Sequence, residues 1–266
     1  MPKLDLPDGR KLAYREEGSG PPLVLVHGSP GEGRSWARVV PFLKEHFRTI
    51  CPDLPGYGGS DRLASDEPAG RMAAMGAAVA HLVESLAAPV RLVGHSFGGN
   101  IALQAALQAR PDAVERMVLF EPVYFRALQL TGDAATLEPA AAHFENYAGR
   151  AIAGEAGVVR LMIDYWFGDG AFARMPEPVR GFLDASAARN ALDVRSSFVG
   201  TSTAAELGGI HQPVTLVDGA TSRDVVRAIN RALARLLPNA RRVGLPGANH
   251  GMLDTHPEAV ARLIAT

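Results

Sequence analysis

Short apolar runs alternate with longer stretches of helical periodicity along most of this chain, and this alternation limits the folds that it can adopt. Residues 23–26 form a continuous apolar run, as expected for a strand that is buried on both faces. A helical pattern over residues 72–86 precedes another short strand pattern, residues 90–93. Strands and helices that alternate in this way predict an α/β fold, in which a mostly parallel sheet carries helices on both faces and the connections are right-handed.

The alternation lapses once, in an alanine-rich stretch between residues 122 and 209. That stretch is predicted to form several short helices and no strand, and the alternating pattern resumes after it. We therefore expect a core made of residues 1–121 and 210–266, interrupted by a helical insertion at residues 122–209. Within the core, apolar side chains at helical spacing also predict a helix over residues 35–45.

Charge and composition exclude several classes of protein. The chain has 27 lysines and arginines against 28 aspartates and glutamates, whereas a nucleic-acid-binding protein usually carries an excess of positive charge. Its single cysteine, Cys51, excludes an intrachain disulfide and fits a reducing compartment. The first residues do not resemble a signal peptide, and no apolar run approaches the roughly 18 residues of a membrane span. We therefore expect a cytoplasmic protein without a nucleic-acid or membrane partner.

The sequence Gly94-x-Ser96-x-Gly98 lies between the strand pattern at residues 90–93 and a helical pattern at residues 100–108. In this setting the motif predicts a very tight turn from strand to helix, which raises the serine hydroxyl above the edge of the sheet. The two glycines remove Cβ atoms that would collide with the neighbouring chain. Ser96 is therefore the candidate nucleophile.

A serine hydroxyl is a weak nucleophile near neutral pH and needs a neighbouring base. His250 is the best candidate among the eight histidines, because it follows the strand predicted at residues 241–245. The carboxyl ends of parallel strands meet at one edge of a sheet, which brings this loop to the edge where Ser96 lies. Donors for an oxyanion are expected from the backbone N–H of Phe97 and from that of Ser29, in the loop after the first buried strand.

Together these segments resemble the α/β-hydrolase fold family. The matching segments are spread along almost the whole chain outside the insertion: His27-Gly28-Ser29-Pro30, Asp53-Leu54-Pro55-Gly56-Tyr57-Gly58-Gly59-Ser60, Gly94-His95-Ser96-Phe97-Gly98-Gly99 and Gly247-Ala248-Asn249-His250. The resemblance implies a central, mostly parallel sheet of about eight strands, with a helical cap inserted after the sixth strand at residues 122–209. It also implies a serine hydrolase in which Ser96, His250 and a carboxylate act together.

The position of the carboxylate is the one departure from the family pattern. The family's acid commonly lies in the loop after the penultimate strand, where this chain carries Ser222. A serine cannot orient the histidine or stabilise its charged form as a carboxylate does. Glu121 directly follows the strand predicted at residues 114–120 and is our preferred acid, because a carboxylate at that edge needs a partner. Asp224 is the alternative acid, followed by Asp218.

We therefore expect an enzyme that cleaves a carboxylic ester of a small or medium-sized apolar molecule. Carbon–carbon bond hydrolysis, lactone hydrolysis, cofactor-free perhydrolysis and ligand binding without catalysis are alternatives on the same fold. The aromatic residues and methionines of the insertion, such as Trp166 and Met162, favour an apolar pocket. The histidines are scattered and no cysteine pair is present, so we expect neither a metal nor another cofactor. No sequence pattern indicates the oligomeric state.

Overall fold

A single sheet organises the fold. The computed structural model describes residues 1–266, apart from the side chain of Ala69. The eight strands of the sheet are β1 (Lys3–Asp5), β2 (Lys11–Glu17), β3 (Pro22–Val26), β4 (Arg48–Pro52), β5 (Val90–His95), β6 (Val114–Phe120), β7 (Val214–Gly219) and β8 (Ala240–Leu245). The sheet order is β1-β2-β4-β3-β5-β6-β7-β8; β2 is antiparallel to both of its neighbours, and every other neighbouring pair is parallel. The predicted mostly parallel sheet of eight strands is confirmed over the described chain.

Helices connect the strands and cover both faces of the sheet. In chain order they are α1 (Pro68–Glu84), α2 (Phe97–Gln108), α3 (Arg126–Thr131), α4 (Ala134–Ile152), α5 (Arg160–Phe167), α6 (Ala171–Arg174), α7 (Glu177–Phe198), α8 (Ala204–Gly208), α9 (Asp224–Leu236), α10 (Met252–Thr255) and α11 (Pro257–Ala265). Successive residues of a strand point to opposite faces, so Val24 belongs to the apolar cluster that includes α1, α2 and α9, whereas Leu25 belongs to the cluster that includes α10 and α11. None of the helices in the described chain combines the length and the hydrophobicity that crossing a membrane requires.

The α-helix predicted over residues 35–45 is wrong. The structure has two short 3₁₀ helices in this region, Gly33–Trp36 and Val40–Phe42, separated by turns. Pro41 explains the difference, because proline has no N–H and its ring collides with the preceding turn of an α-helix. The apolar side chains at helical spacing still pack against the sheet, namely Trp36, Val39, Val40 and Leu43.

Residues 122–209, which we call the insertion, lie between β6 and β7 and contain helices α3 to α8. They contain no strand among their described residues, as expected. Helices α4 and α7 are 19 and 22 residues long, so the prediction of only short helices is wrong. The side chain of Asp133 caps α4 by accepting from the N–H of Thr136, and helix α7 packs against both α4 and α1. Packing of α7 on α1 therefore joins the insertion to the core.

Candidate active site

Ser96 lies at the turn between β5 and α2, where the motif predicts a tight bend. Its backbone has φ 55° and ψ −125°, a conformation that residues other than glycine rarely adopt. A Cβ on Gly98 would lie 2.4 Å from the carbonyl oxygen of His27, and a Cβ on Gly94 would lie 2.4 Å from that of Gly98. Only glycine fits at either position, and this strained turn is typical of a nucleophile held between a strand and a helix.

Three side chains from separate loops meet at the carboxyl edge of the sheet. Ser96 Oγ lies 3.0 Å from Nε2 of His250, and Nδ1 of the same ring lies 2.7 Å from Oε2 of Glu121. His250 comes from the loop between β8 and α10, and Glu121 directly follows β6. With its proton on Nδ1, the imidazole donates to Glu121 and leaves Nε2 free to accept the proton of Ser96. The structure thus joins the three residues in one hydrogen-bonded series.

Glu121 is fully buried, yet its carboxylate has three donors. Oε2 accepts from the imidazole, and Oε1 accepts from the N–H of Gly219 at 2.7 Å and from the hydroxyl of Ser222. Burial by itself raises the pKa of Glu121, but the hydrogen bonds and the charge of His250 outweigh burial and lower that pKa below its ordinary value. The carboxylate is therefore both ionised and fixed toward the imidazole.

The other candidate acids lie elsewhere. The side chain of Asp224 is 93% exposed and pairs with an arginine one turn further along α9, so the structure does not bring it into the series. Asp218 is turned toward an asparagine of α9, whose amide donates to it at 3.1 Å. Ser222 lies at the usual position of the family's acid. Its hydroxyl donates to Glu121 and so helps to hold that carboxylate.

Both expected oxyanion donors line the same cavity as Ser96. Phe97 is the first residue of α2, so its N–H has no acceptor within the helix. The loop after β3 passes close to the nucleophile, since a Cβ on Gly28 would lie 3.1 Å from Cβ of Ser96. The N–H groups of Ser29 and Phe97 donate to no acceptor within the described chain, which leaves both available to a ligand.

Two further histidines brace the loops around the site. Nε2 of His95 lies 2.9 Å from the backbone oxygen of His250, and Nε2 of His27 accepts from the N–H of Leu54 at 2.9 Å. Burial disfavours the charged form of each ring. Burial, and then the charge of His250, lower the pKa of His95 to about 3, and burial lowers the pKa of His27. Both rings are therefore neutral supports at neutral pH.

Ser96 lies where two cavities meet. We call the smaller one the inner cavity and the larger one the outer cavity. Trp166 of α5 lines both cavities and stacks on the ring of His250, with ring centroids 4.7 Å apart. The insertion therefore lines the inner cavity and also covers one face of the imidazole. It supplies most of the apolar wall of the inner cavity: Val123, Phe125, Phe144, Met162, Trp166 and Val194.

The polar end of the inner cavity was not predicted from the sequence. Three residues of α7 form it together with Ser29, namely Asn190, Asp193 and Ser197. Their spacing of three and four positions places them on one face of a helix, and that spacing was the only signal in the sequence. Within the described chain, no group of three or more histidine, cysteine or acidic side chains is gathered in a way that could hold a metal ion.

Comparison with known proteins identifies the family. The model of the alpha/beta hydrolase family matches residues 23–263. The (E)-2-((N-methylformamido)methylene)succinate hydrolase of Acinetobacter baylyi is 34% identical over 123 residues, which cover 46% of this chain and 46% of that enzyme. The polyketide synthase ThaQ of Burkholderia thailandensis is 31% identical over 271 aligned residues, which cover 96% of this chain and 12% of the synthase. The matches thus span less than half the length of these two curated relatives.

Solved structures show the same fold. A thermophilic esterase from Thermogutta terrifontis, with malate bound, has a TM-score of 0.73 and 23% identity over 99% of this chain and 96% of that one. An identity this low supports the fold alone, whereas the family model covers most of the chain. Family model, sheet order and the turn at Ser96 agree, and this chain belongs to the alpha/beta hydrolase family of enzymes.

Proposed function

We propose that this chain is a serine hydrolase that cleaves a carboxylic ester through an acyl-enzyme on Ser96. The observation that carries the proposal is the hydrogen-bonded series from Ser96 through His250 to Glu121, with distances of 3.0 Å and 2.7 Å between the heteroatoms. At these distances the imidazole can take the serine proton while the carboxylate stabilises the imidazolium that results. The ring of Trp166 stacks on the imidazole, with ring centroids 4.7 Å apart, and covers one face of it.

The reaction proceeds in two halves. His250 removes the proton of Ser96 as Oγ attacks the carbonyl carbon of the ester, and the N–H groups of Ser29 and Phe97 hold the oxyanion. Loss of one such donor typically costs about 3–4 kcal/mol of transition-state stabilisation. The imidazolium then gives its proton to the leaving oxygen, and the alcohol departs. In the second half the imidazole activates a water molecule, which attacks the acyl-enzyme and releases the carboxylic acid.

The two cavities support separate sites for the two parts of the ester. The inner cavity is the smaller of the two and has a mostly apolar wall, which favours a small or medium-sized apolar acyl group. The outer cavity is the larger, so it can take the alcohol part and release it after acylation. In this proposal the insertion, residues 122–209, acts as a cap over a core made of residues 1–121 and 210–266.

A panel of p-nitrophenyl esters of increasing acyl length tests this function. We expect hydrolysis with an optimum at a short or medium acyl chain, because the inner cavity is small, and we expect Ser96→Ala to lower kcat at least about 1,000-fold. Circular dichroism of the variant serves as the control for folding. Turnover that survives in a folded Ser96→Ala variant, or a wild-type protein inactive on every ester, would contradict the proposal.

A second candidate substrate follows from one comparison. The likeness to a segment of a polyketide synthase extends over 96% of this chain and therefore includes the insertion that surrounds the inner cavity. This favours a polyketide acyl group as the second candidate for the acyl part. Adding esters of β-keto acids to the panel, together with lactones and a carbon–carbon bond substrate, separates these reactions by their relative kcat/KM.

A further inference from the structure

A network of buried polar side chains connects helix α7 of the insertion to the loop after β3. Oδ2 of Asp193 accepts the hydroxyl of Ser29 at 2.6 Å and the hydroxyl of Tyr57 at 2.5 Å. Nδ2 of Asn190, one turn earlier in α7, donates to Ser29 Oγ at 2.9 Å. The amide of Asn190 is itself fixed, because its Oδ1 accepts the hydroxyl of Tyr147 at 2.7 Å. Side chains of the insertion therefore hold Ser29 from two directions.

The negative charge at the centre of this network is compensated from the core. Nε of Arg71, in α1, lies 2.6 Å from Oδ1 of Asp193, and the two side chains are only 3% and 1% exposed. A carboxylate paired with arginine accepts hydrogen bonds and donates none. The hydroxyl proton of Ser29 is therefore directed toward Asp193, while its lone pair accepts from Asn190. Together these two bonds fix the rotation of the Ser29 side chain.

We infer that Asp193 and Asn190 are positioning residues for the oxyanion hole, and that the insertion completes the hole by holding Ser29. The inference rests on the proposed function, in which the N–H of Ser29 receives the oxyanion. The backbone nitrogen of Ser29 is bonded to the same Cα that carries the side chain held by Asp193 and Asn190. The backbone on either side of Ser29 is already restrained, since Nδ1 of His27 donates to the backbone oxygen of Gly28 at 2.7 Å and the ring of Pro30 fixes its own φ. The hydroxyl of Ser29 is the side-chain anchor of the residue between them.

This arrangement makes one catalytic group of the core depend on the insertion. The core supplies the nucleophile, the base, the acid and the N–H groups of Phe97 and Ser29, whereas the insertion supplies the residues that position Ser29. Placement of the second oxyanion donor depends on α7, because two of the three side chains that contact the Ser29 hydroxyl, Asp193 and Asn190, lie on that helix. The third is Tyr57 of the core, whose hydroxyl lies 2.9 Å from Ser29 Oγ and itself donates to Asp193. Movement of α7 away from the core therefore weakens stabilisation of the transition state while the series of Ser96, His250 and Glu121 stays intact. Acylation is coupled in this way to docking of the insertion.

Replacing Ser29 by alanine tests the inference, because the variant keeps the backbone N–H and loses only its anchor. We expect kcat on the best p-nitrophenyl ester to fall about 10-fold to 100-fold while KM changes by less than about twofold. The affinity for a boronic acid, which mimics the tetrahedral intermediate, should fall by the same factor as kcat/KM. Ser29→Thr keeps the hydroxyl and should recover most of the lost rate.

Two variants of α7 complete the test. Asp193→Asn removes the acceptor of the Ser29 hydroxyl and should lower kcat and boronic-acid affinity in parallel. Ser196→Ala is the matched control, because Ser196 is buried on the same helix and donates at 2.7 Å to the backbone oxygen of Asp193 without touching Ser29. It should keep the wild-type kcat. If Asp193→Asn does not fold, the comparison of Ser29→Ala with Ser29→Thr decides the question alone.

The outcomes separate this inference from the proposed function. A folded Ser29→Ala variant with wild-type kcat and boronic-acid affinity overturns the inference and leaves the hydrolase function standing. A rise in KM alone also overturns it, because Ser29 would then contact substrate through its hydroxyl and not position the oxyanion donor. A wild-type protein that hydrolyses no ester refutes the proposed function, and the inference with it.

Discussion

The residue beside His250 and the residue at the family's usual acid position are different in this chain. Glu121 lies next to His250, and Ser222, at the usual position of the acid, donates its hydroxyl to Glu121. The N–H of Gly219 donates to the same carboxylate oxygen. A buried carboxylate is costly unless its oxygens are satisfied, so these donors explain how Glu121 is both buried and charged. The backbone at Glu121 has φ 47°, and this strain is consistent with a functional residue.

The identity of the acid can be decided by two matched substitutions. Glu121→Gln should lower kcat on an activated ester about 1,000-fold to 10,000-fold, because an amide neither stabilises the imidazolium nor selects the Nδ1–H tautomer. Asp224→Asn also replaces a carboxylate by an amide, but at an exposed site, and should leave kcat within about twofold of wild type. Steady-state kinetics measure both effects. A greater loss of kcat in Asp224→Asn than in Glu121→Gln would show that the acid has been assigned to the wrong residue.

At the scale of elements, two neighbouring parallel strands end at histidines, of which His27 is buried and His95 is half-buried. His27 follows β3 and His95 is the last residue of β5, and the two strands are paired in the sheet. Each ring secures the loop beyond its strand: His27 accepts from the N–H of Leu54, and His95 donates to the backbone oxygen of His250. Only an unprotonated Nε2 of His27 can accept its bond, whereas His95 could donate in either form and is kept neutral by the removal of its ring from water. The ends of β3 and β5 are therefore sensitive to protonation.

This sensitivity predicts how stability depends on pH. The unfolded chain protonates His95 below about pH 6.5, whereas the folded chain does so only near its lowered pKa of about 3. The unfolded state thus binds more protons between these values, and the free energy of unfolding falls as the pH decreases through this window. The loss contributed by one such histidine approaches about 1.4 kcal/mol per pH unit.

Denaturant unfolding of wild type and of His95→Gln between pH 7 and pH 5 measures this contribution. Glutamine can keep a donor for the backbone oxygen and does not titrate, so the variant should lose less stability than wild type over this range. The range stays above the region where carboxylates such as Glu121 titrate. Equal slopes for the two proteins would mean that His95 is protonated in the folded state as readily as in the unfolded chain.

At the scale of the whole molecule, the sequence predicts the sheet better than it predicts the insertion. Buried strands such as β3 are visible as apolar runs, and the rule that parallel strands end at one edge correctly brings Ser96 and His250 to the same side. Pro41 also argues against an α-helix over residues 35–45, but the helical spacing of the apolar side chains around it favoured the wrong prediction. Which face of α7 meets the core depends on tertiary packing, so the contact of Asp193 with Ser29 could not be predicted from one sequence.

The central claim is that His250 activates Ser96, and the rate of modification by a fluorophosphonate probe tests it most directly. The wild-type protein should gain a single adduct, which peptide mapping places on Ser96, and His250→Ala should react at least about 100-fold more slowly because the base is missing. Intact-protein mass spectrometry follows both reactions over time. Equal labelling rates in the two proteins, or an adduct on any residue other than Ser96, would contradict the account.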